Sequence, residues 1–508
     1  MLTSAQPPLA TLQQLNQLRE LQTRSAGLEP NDAERKTWQL VTDRLINQFL
    51  DKLPVGPAFT KFGSEVVDQF NRDVAQATSF EALLSTVEAG MVNAGLVAAS
   101  PGHLGFVPGG GLYIGAVADH FAASINAFSA DAFTSPIAVH IHEQVMQWLI
   151  QVIGYGKDAW GDITSGGSQA TLTAFYVARE VHRLRPSNYH KTCVYISEHT
   201  HHCCEKALRI LFSKELVVRR VSLKNHVIDS ESLSALVQQD QRAGLIPWMI
   251  VATAGSTNLG RVDPLLDLAT ITKKNAMWLH VDAAYGGMFK LCEAAQTVLI
   301  GLENADSVVL DPHKGLFLPY GCGVIMFKQG EQLRKTIDYT GNYLQDRRPD
   351  EQHSPMDYSL ELTRPFRSLR IWLALKTHGQ SILADALNEK LLLAAYCRNQ
   401  LRNIKYLVMV GHLDLSIFAF RYEHPACSNG NLATKQLLEV INAHGDVFLT
   451  STMIDDYYVI RVAVLSFRTH LETIDKLIAL IKSEVALLTS NITKSDINCI
   501  NDDDLAFS

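Results

Sequence analysis

The sequence predicts an α/β fold built on a buried, mostly parallel β-sheet, preceded by a helical segment and followed by a smaller α/β unit. Two observations carry this prediction. Between about residues 100 and 385, short apolar runs alternate with stretches of helical periodicity, the pattern of strands covered by helices on both faces. Polar residues and glycines stand just after several of these runs, where open α/β sheets bind ligands at the carboxyl ends of their strands.

The chain has 508 residues, enough for two or three domains at roughly 100–200 residues each. Residues 1–95 read as a helical N-terminal segment. Leu12, Leu15, Leu18 and Leu21 recur every three residues, a second amphipathic stretch runs over 34–50, and Pro54-Val55-Gly56-Pro57 breaks the chain. Residues 96–385 form the large domain. Strands are expected at 192–196, 248–253, 277–282, 307–310 and 323–327. A helix is expected at 170–184, where Ala170, Ala174, Val177, Val181 and Leu184 share one face. Residues 386–485 read as the small C-terminal domain, with helices over 384–403 and 470–489 and strands over 415–421 and 457–465. Residues 486–508 form a polar tail that ends in acidic residues and is expected to fray.

Composition narrows the function. The net charge of −7 is mild and both signs are dispersed, unlike the basic stripe of a nucleic-acid binder. No run approaches the ~20 apolar residues of a membrane span, and no secretory leader is evident. Eight scattered cysteines read as reduced thiols of a cytoplasmic enzyme.

Four segments carry chemistry. The apolar run through His280, Val281 and Asp282 leads into Ala283, Ala284 and Tyr285. Asp282 is either a turn-capping residue or a carboxylate facing a cationic ring nitrogen. The run 307–310 is followed by Asp311, Pro312, His313 and Lys314. A lone lysine there reads as a loop residue, but a lysine shielded from water beside a cationic group has a lowered pKa and becomes a nucleophile. Ser165, Gly166, Gly167 and Ser168 open a helix. They form either a plain cap or a cup for an anion at free N–H groups. His199, His201, His202, Cys203 and Cys204 follow the run 192–196. They permit a zinc reading, a ring stacked on a cofactor, or a polar turn, and no second Cys pair completes a zinc spacing.

In this order, the four segments resemble the group II pyridoxal phosphate (PLP)-dependent amino-acid decarboxylases, which include the aromatic-L-amino-acid, histidine and glutamate decarboxylases. The resemblance spans roughly residues 40–485. His280-Val281-Asp282-Ala283-Ala284-Tyr285, followed by Asp311-Pro312-His313-Lys314, carries it most specifically. It implies the fold-type I, aspartate-aminotransferase-like arrangement, with PLP as cofactor and no metal. It implies a homodimer with active sites at the interface and an amino-acid substrate, and neither nucleic acid nor membrane as partner. The stretch Phe366-Arg367-Ser368-Leu369-Arg370-Ile371-Trp372 resembles the aromatic branch.

The resemblance also implies roles. Lys314 is the Schiff-base lysine, Asp282 pairs with the pyridine nitrogen and Ala284 lies under the ring. His201 stacks on the ring and assists proton transfer, and Gly167 and Ser168 hold the phosphate. Thr253 lies on the cofactor side and His313 positions the lysine. Phe106 and Pro108 belong to a substrate loop, and Arg461 binds the substrate carboxylate. Electrons from the broken Cα–carboxylate bond flow into the protonated ring, and CO2 leaves. The family's mobile loop commonly supplies a tyrosine that protonates the carbanion. Aligned without gaps from Thr363, that position falls near Pro355, and Tyr358 is the nearby tyrosine; Tyr343 begins the corresponding segment. Aminotransferase, oxidative deaminase and carbon–carbon lyase chemistry are the related alternatives, and a zinc-binding structural protein is the unrelated one.

Overall fold

The structure is a computed structural model that describes residues 9–338 and 354–494, apart from 62, 64–66, 69, 71–73 and 93. The polar tail beyond 494, and the loop segment around Tyr343, lie outside the described residues. The chain divides into two compact units: Met1–Gly56 with Thr60–Gly95, and Pro57–Phe59 with Leu96–Ser508.

The first unit is helical. It contains α1 (Leu9–Ser25), α2 (Asp32–Lys52) and α3 (Phe80–Val92). Asn31 accepts from the N–H groups of Ala33 and Glu34, and Glu34 returns a bond to the Asn31 N–H, a capping box that fixes the start of α2. Trp38 and Phe80 join α2 to α3 with ring centroids 5.3 Å apart. Leu12, Leu15, Leu18 and Leu21 of α1 are more than a third exposed.

The second unit holds the predicted sheet. Its elements include α4 (Tyr113–Ile125), α5 (Pro136–Ile153), β1 (Trp160–Thr164), α6 (Gly167–Val181), β2 (Thr192–Ile196), α7 (His202–Phe212), β3 (Val217–Arg220), β4 (Ile246–Thr253), α8 (Leu265–Lys274), β5 (Trp278–Asp282), β6 (Ser307–Leu310) and β7 (Gly323–Phe327). Spatial order is β1-β7-β6-β5-β4-β2-β3. All neighbours are parallel except at β7, which runs antiparallel to both β6 and β1. Every residue of β1, β2, β5, β6 and β7 is buried, as a sheet covered on both faces requires. Phe175, Phe212, Trp248 and His280 interlock edge-to-face in that core.

The sheet includes two strands that the sequence pattern did not suggest. β1 carries a glycine and Asp162 in its middle. Asp162 is buried because Arg364, also buried, is ion-paired to it and donates to the Ile163 carbonyl. β3 alternates half-buried and exposed residues, as an edge strand does.

A four-stranded antiparallel sheet follows: β8 (Leu407–Val410), β9 (Ile417–Tyr422), β10 (Thr450–Ile454) and β11 (Tyr457–Ala463), in order β8-β9-β11-β10. It packs with α10 (Gly430–Ala443) and α11 (Leu471–Lys494) around their own apolar cluster. The helix expected from 384 is the second half of α9 (Ser368–Arg402), which is interrupted at Gly379. There φ 78° and ψ 157° leave the helical region, a conformation glycine adopts without a Cβ penalty.

Candidate active site

The carboxyl ends of β1, β2, β4, β5 and β6 open onto one cavity of about 330 Å³. Each strand delivers a functional residue at its end because the apolar run stops there and the chain turns. Thr253 ends β4 and Asp282 ends β5, paired in parallel register. Lys314 follows β6 by one short helical turn. Gly166 and Gly167 follow β1 and open α6, while His201 caps α7.

Lys314 Nζ lies 2.8 Å from Asp311 Oδ2. Burial lowers its affinity for a proton, but the charge and hydrogen bond of Asp311 outweigh burial and hold the ammonium above its ordinary value. The lysine is shielded from water, yet it is paired with Asp311. Asp311 Oδ1 is buried without a hydrogen-bond partner. His313 lines the same cavity; its Nδ1 lies 2.6 Å from the Cys322 carbonyl, and its Nε2 is 3.6 Å from Asp311. Burial lowers the His313 pKa.

Asp282 is buried and accepts the Ala284 N–H at 3.1 Å, which turns Ala284 into the cavity. His201 Nδ1 accepts the Cys203 N–H at 3.3 Å. Its pKa is raised, chiefly by hydrogen bonding with the Cys203 side chain. The Cys203 thiol is drawn down to about 5 by its bond with Cys204, which with His201 outweighs burial. His201, Cys203 and Asp282 offer ligand atoms within 4.8 Å of one another. The histidine and cysteine run therefore does not converge on itself: Cys204 points into the core, and the third group comes from β5.

Thr253 donates its backbone N–H to Asp263 at 2.7 Å, while its buried hydroxyl has no partner. Asp263 also accepts the Ile228 N–H at 2.8 Å, so it ties the end of β4 to the Val227–Ile228 strand. At the head of α6 no side chain caps the free N–H groups. Instead Gln169 Oε1 accepts from the N–H and hydroxyl of Ser165. Gly167 faces Asp311 so closely that a Cβ would sit 3.2 Å from Oδ2, and a Cβ on Gly323 would fall 2.5 Å from the Gly166 Cα.

Four expected residues stand outside the cavity lining. Tyr358 is 3% exposed in the core, with its ring 5.9 Å from Trp160, and burial pushes its phenol up to about 12. The phenol lies outside the lining of this cavity. Arg461 is also spoken for. It donates to the carbonyls of Asn258, Thr257 and Phe106 and to the Thr450 hydroxyl. A guanidinium so engaged braces the loop. Phe106 is 58% exposed and packs near His103 and Phe448, Pro108 is buried, and Val107 between them lines the cavity.

The residues present fit PLP. An uncapped helix N-terminus suits a phosphate, the orphaned Thr253 hydroxyl needs a polar partner, and Asp282 suits a cationic ring nitrogen. Lys314 stands within the same cavity. When bound, PLP supplies an electron sink for the pair released from a broken bond at Cα.

Comparison with known proteins agrees. The model of the pyridoxal-dependent decarboxylase conserved domain matches residues 65–423. The chain belongs to the pyridoxal-dependent decarboxylase family. An aromatic-L-amino-acid decarboxylase of Bacillus atrophaeus is 32% identical over 75% of this chain and 81% of its own. A phenylacetaldehyde synthase of Petunia hybrida is 28% identical over 72% of this chain and 76% of its own. In fold, the chain is similar to the Oryza sativa TDC solved with PLP and tryptamine, at TM-score 0.86 and 22% identity, over 91% of this chain and 99% of that one. As a pyridoxal-dependent decarboxylase, the protein is a carboxy-lyase that uses PLP to decarboxylate an amino acid. None of the helices among the described residues is long and apolar enough to cross a membrane.

Proposed function

We propose that this decarboxylase converts an L-amino acid with an aromatic side chain into the corresponding amine and CO2. The observation that carries the reading is the convergence of Lys314, Asp282, His201 and the Thr253 hydroxyl with the α6 N-terminus on one cavity. An aromatic substrate is supported by Val107 at the cavity wall, near the rings of Phe106, His103 and Phe448. The relative from Bacillus atrophaeus also supports it.

In this reading Lys314, in the cavity wall, would hold the cofactor. Asp282, at the end of β5, would pair with a cationic ring nitrogen. His201 and Ala284, both in the cavity wall, would hold the cofactor ring between them. The Thr253 hydroxyl donates or accepts beside the ring. The N–H groups of Gly167 and Ser168 receive the phosphate, and His313 holds the lysine segment through its bond to Cys322. Val107 and its neighbours orient the substrate so that the scissile bond is aligned and water is excluded.

A second product outcome has its own support. Tyr358 is confined to the core, and one relative is a phenylacetaldehyde synthase. Decarboxylation would then be followed by oxidative deamination to aldehyde, ammonia and peroxide with consumption of O2. The test is product analysis over the aromatic amino acids, histidine, glutamate and ornithine. The expected result is CO2 and amine in equal amounts from an aromatic substrate. Aldehyde with peroxide supports the second outcome, and absence of CO2 from the PLP-loaded protein over the whole panel overturns both.

The dimer and the cytoplasmic location belong to the same proposal. On α4, Tyr113, Val117, Phe121 and Ile125 recur every four residues and are each 40–56% exposed, and Phe133 and Ile137 extend the apolar surface. Such a stripe supports burial against a second copy, which light scattering tests. Seven described cysteines are free thiols, which supports a reducing compartment; cell fractionation tests the location.

A further inference from the structure

The sulfur of Cys203, one ring nitrogen of His201 and a carboxylate oxygen of Asp282 lie within 4.8 Å of one another, and all three residues line the cavity. They come from two segments, the start of α7 and the end of β5. Thiolate, imidazole and carboxylate are the ligand types of zinc, and three of them with one open position suffice to hold it. Tetrahedral zinc spaces its ligand atoms roughly 3.3–3.6 Å apart, so the three side chains need to close by about an ångström. Their surroundings suit a cation. The hydroxyl of Thr171, fully buried on α6, lies 3.7 Å from the Cys203 sulfur, the kind of outer contact that orients a metal ligand. Asp282 commits Oδ1 to the Ala284 N–H, which leaves its other oxygen for a ligand. The charges balance as well: one thiolate and one carboxylate cancel a divalent ion, and the ammonium of Lys314 is already countered by Asp311.

We propose that the chain without its cofactor binds one zinc ion through His201, Cys203 and Asp282, and that zinc and PLP exclude each other from the cavity. On binding, the S–H bond of Cys203 breaks, its electron pair forms the bond to zinc and the proton passes to solvent. His201 and Asp282 each give a lone pair, water takes the fourth position, and nothing is oxidised or reduced. His201 and Asp282 are the groups that would otherwise meet the cofactor ring, so an ion held between them denies the ring its place. Zinc is therefore a competitor and not a second cofactor, and PLP releases it. The inference rests on the reading of this cavity as the cofactor's.

The test uses zinc sulfate and the full-length chain, reduced and freed of PLP, with cobalt as the spectroscopic stand-in. Calorimetry on the wild type should show one equivalent of zinc, and cobalt should give visible bands of a tetrahedral site and a sulfur-to-cobalt charge-transfer band. In Cys203→Ser the charge-transfer band should vanish and zinc affinity should fall by more than the roughly 100-fold that loss of an outer contact can reach. Thr171→Val should weaken zinc about tenfold. With free zinc at ten times its own Kd, the apparent Kd for PLP should rise about elevenfold in the wild type and stay unchanged in Cys203→Ser. A further measurement needs no variant: PLP added to the wild-type cobalt form should erase the charge-transfer band. Cobalt bands that survive PLP, no zinc uptake by the wild type, or undiminished uptake by Cys203→Ser overturns the proposal. So does an equal rise of the PLP Kd in both proteins, which marks capture of PLP by zinc in solution. PLP fixed by borohydride and mapped to a lysine other than Lys314 overturns the cofactor reading of the cavity instead, a separate and distinguishable failure.

Discussion

Arg461, in β11, donates a hydrogen bond at 3.3 Å to the carbonyl of Phe106, 355 residues earlier in the chain. The same guanidinium reaches Thr257, Asn258 and Thr450, and burial draws its pKa down to about 10. One side chain thus ties the substrate loop, the turn after β4 and the small sheet together. Arg461→Met would leave three carbonyls and a hydroxyl without their donor. The expected cost is on the order of 3 kcal/mol of stability, read from the denaturant midpoint. KM should rise while kcat is largely kept, because the loop that orients the substrate loosens and the chemical groups do not move. A collapse of kcat with KM unchanged would return Arg461 to the reacting atoms.

Thr253→Val separates cofactor binding from folding. The valine keeps the shape and removes a buried hydroxyl that has no partner. Without cofactor, the variant should be as stable as the wild type or more stable by about 1 kcal/mol. Its Kd for PLP should rise about tenfold, the worth of one hydrogen bond. A PLP titration of both proteins decides; equal affinities would remove the hydroxyl from the site.

Asp263 and His280 titrate in one pH window with opposite effects on stability. Burial raises Asp263 from 3.8 to about 6. Its contribution is full below its unfolded pKa and is lost as pH rises through about 6. Burial depresses His280 from 6.5 to about 4. Its contribution is full above 6.5 and is lost as pH falls through about 4. Each effect is about 3 kcal/mol over its range, so between pH 4 and 6 the two slopes largely cancel. Asp263→Asn should make urea stability fall more steeply on acidification than in the wild type, and His280→Asn should do the reverse. Parallel pH profiles for all three proteins would refute this balance.

Tyr358→Phe should leave the ratio of amine to aldehyde unchanged, because the phenol lies in the core beside Trp160. The stability change should stay within about 1 kcal/mol. A shift toward aldehyde on chromatographic analysis would place Tyr358 at the carbanion after all.

The pieces of the site that could be read in the sequence are those presented locally. β5 and β6 are apolar runs that stop at Asp282 and at Asp311, so their strand-end positions were visible in the sequence, while the roles of Asp282 and Lys314 came from the family resemblance. The glycines before α6 were visible for the same reason. What depends on distant chain segments was not legible. β1 hid its strand character behind Asp162, because its partner Arg364 is 202 residues away. Asp311 stood in plain view three residues before Lys314, yet its pairing depends on how the short turn folds back. Arg461 looked like a free strand-end cation until its acceptors were in place. Tyr358 was assigned by spacing from a neighbouring motif, and spacing does not say which way a side chain turns.

The closeness of Gly323 to Gly166 has a bearing on redesign. Backbone meets backbone there with no room for a Cβ, so the grip proposed for an anion is set by chain shape and by two glycines on separate segments. Libraries that randomise the side chains around the cavity would leave that grip untouched. Reaction and substrate preferences can therefore diversify over the same cofactor, whereas exchanging the cofactor would demand concerted rebuilding of β7 and the turn before α6.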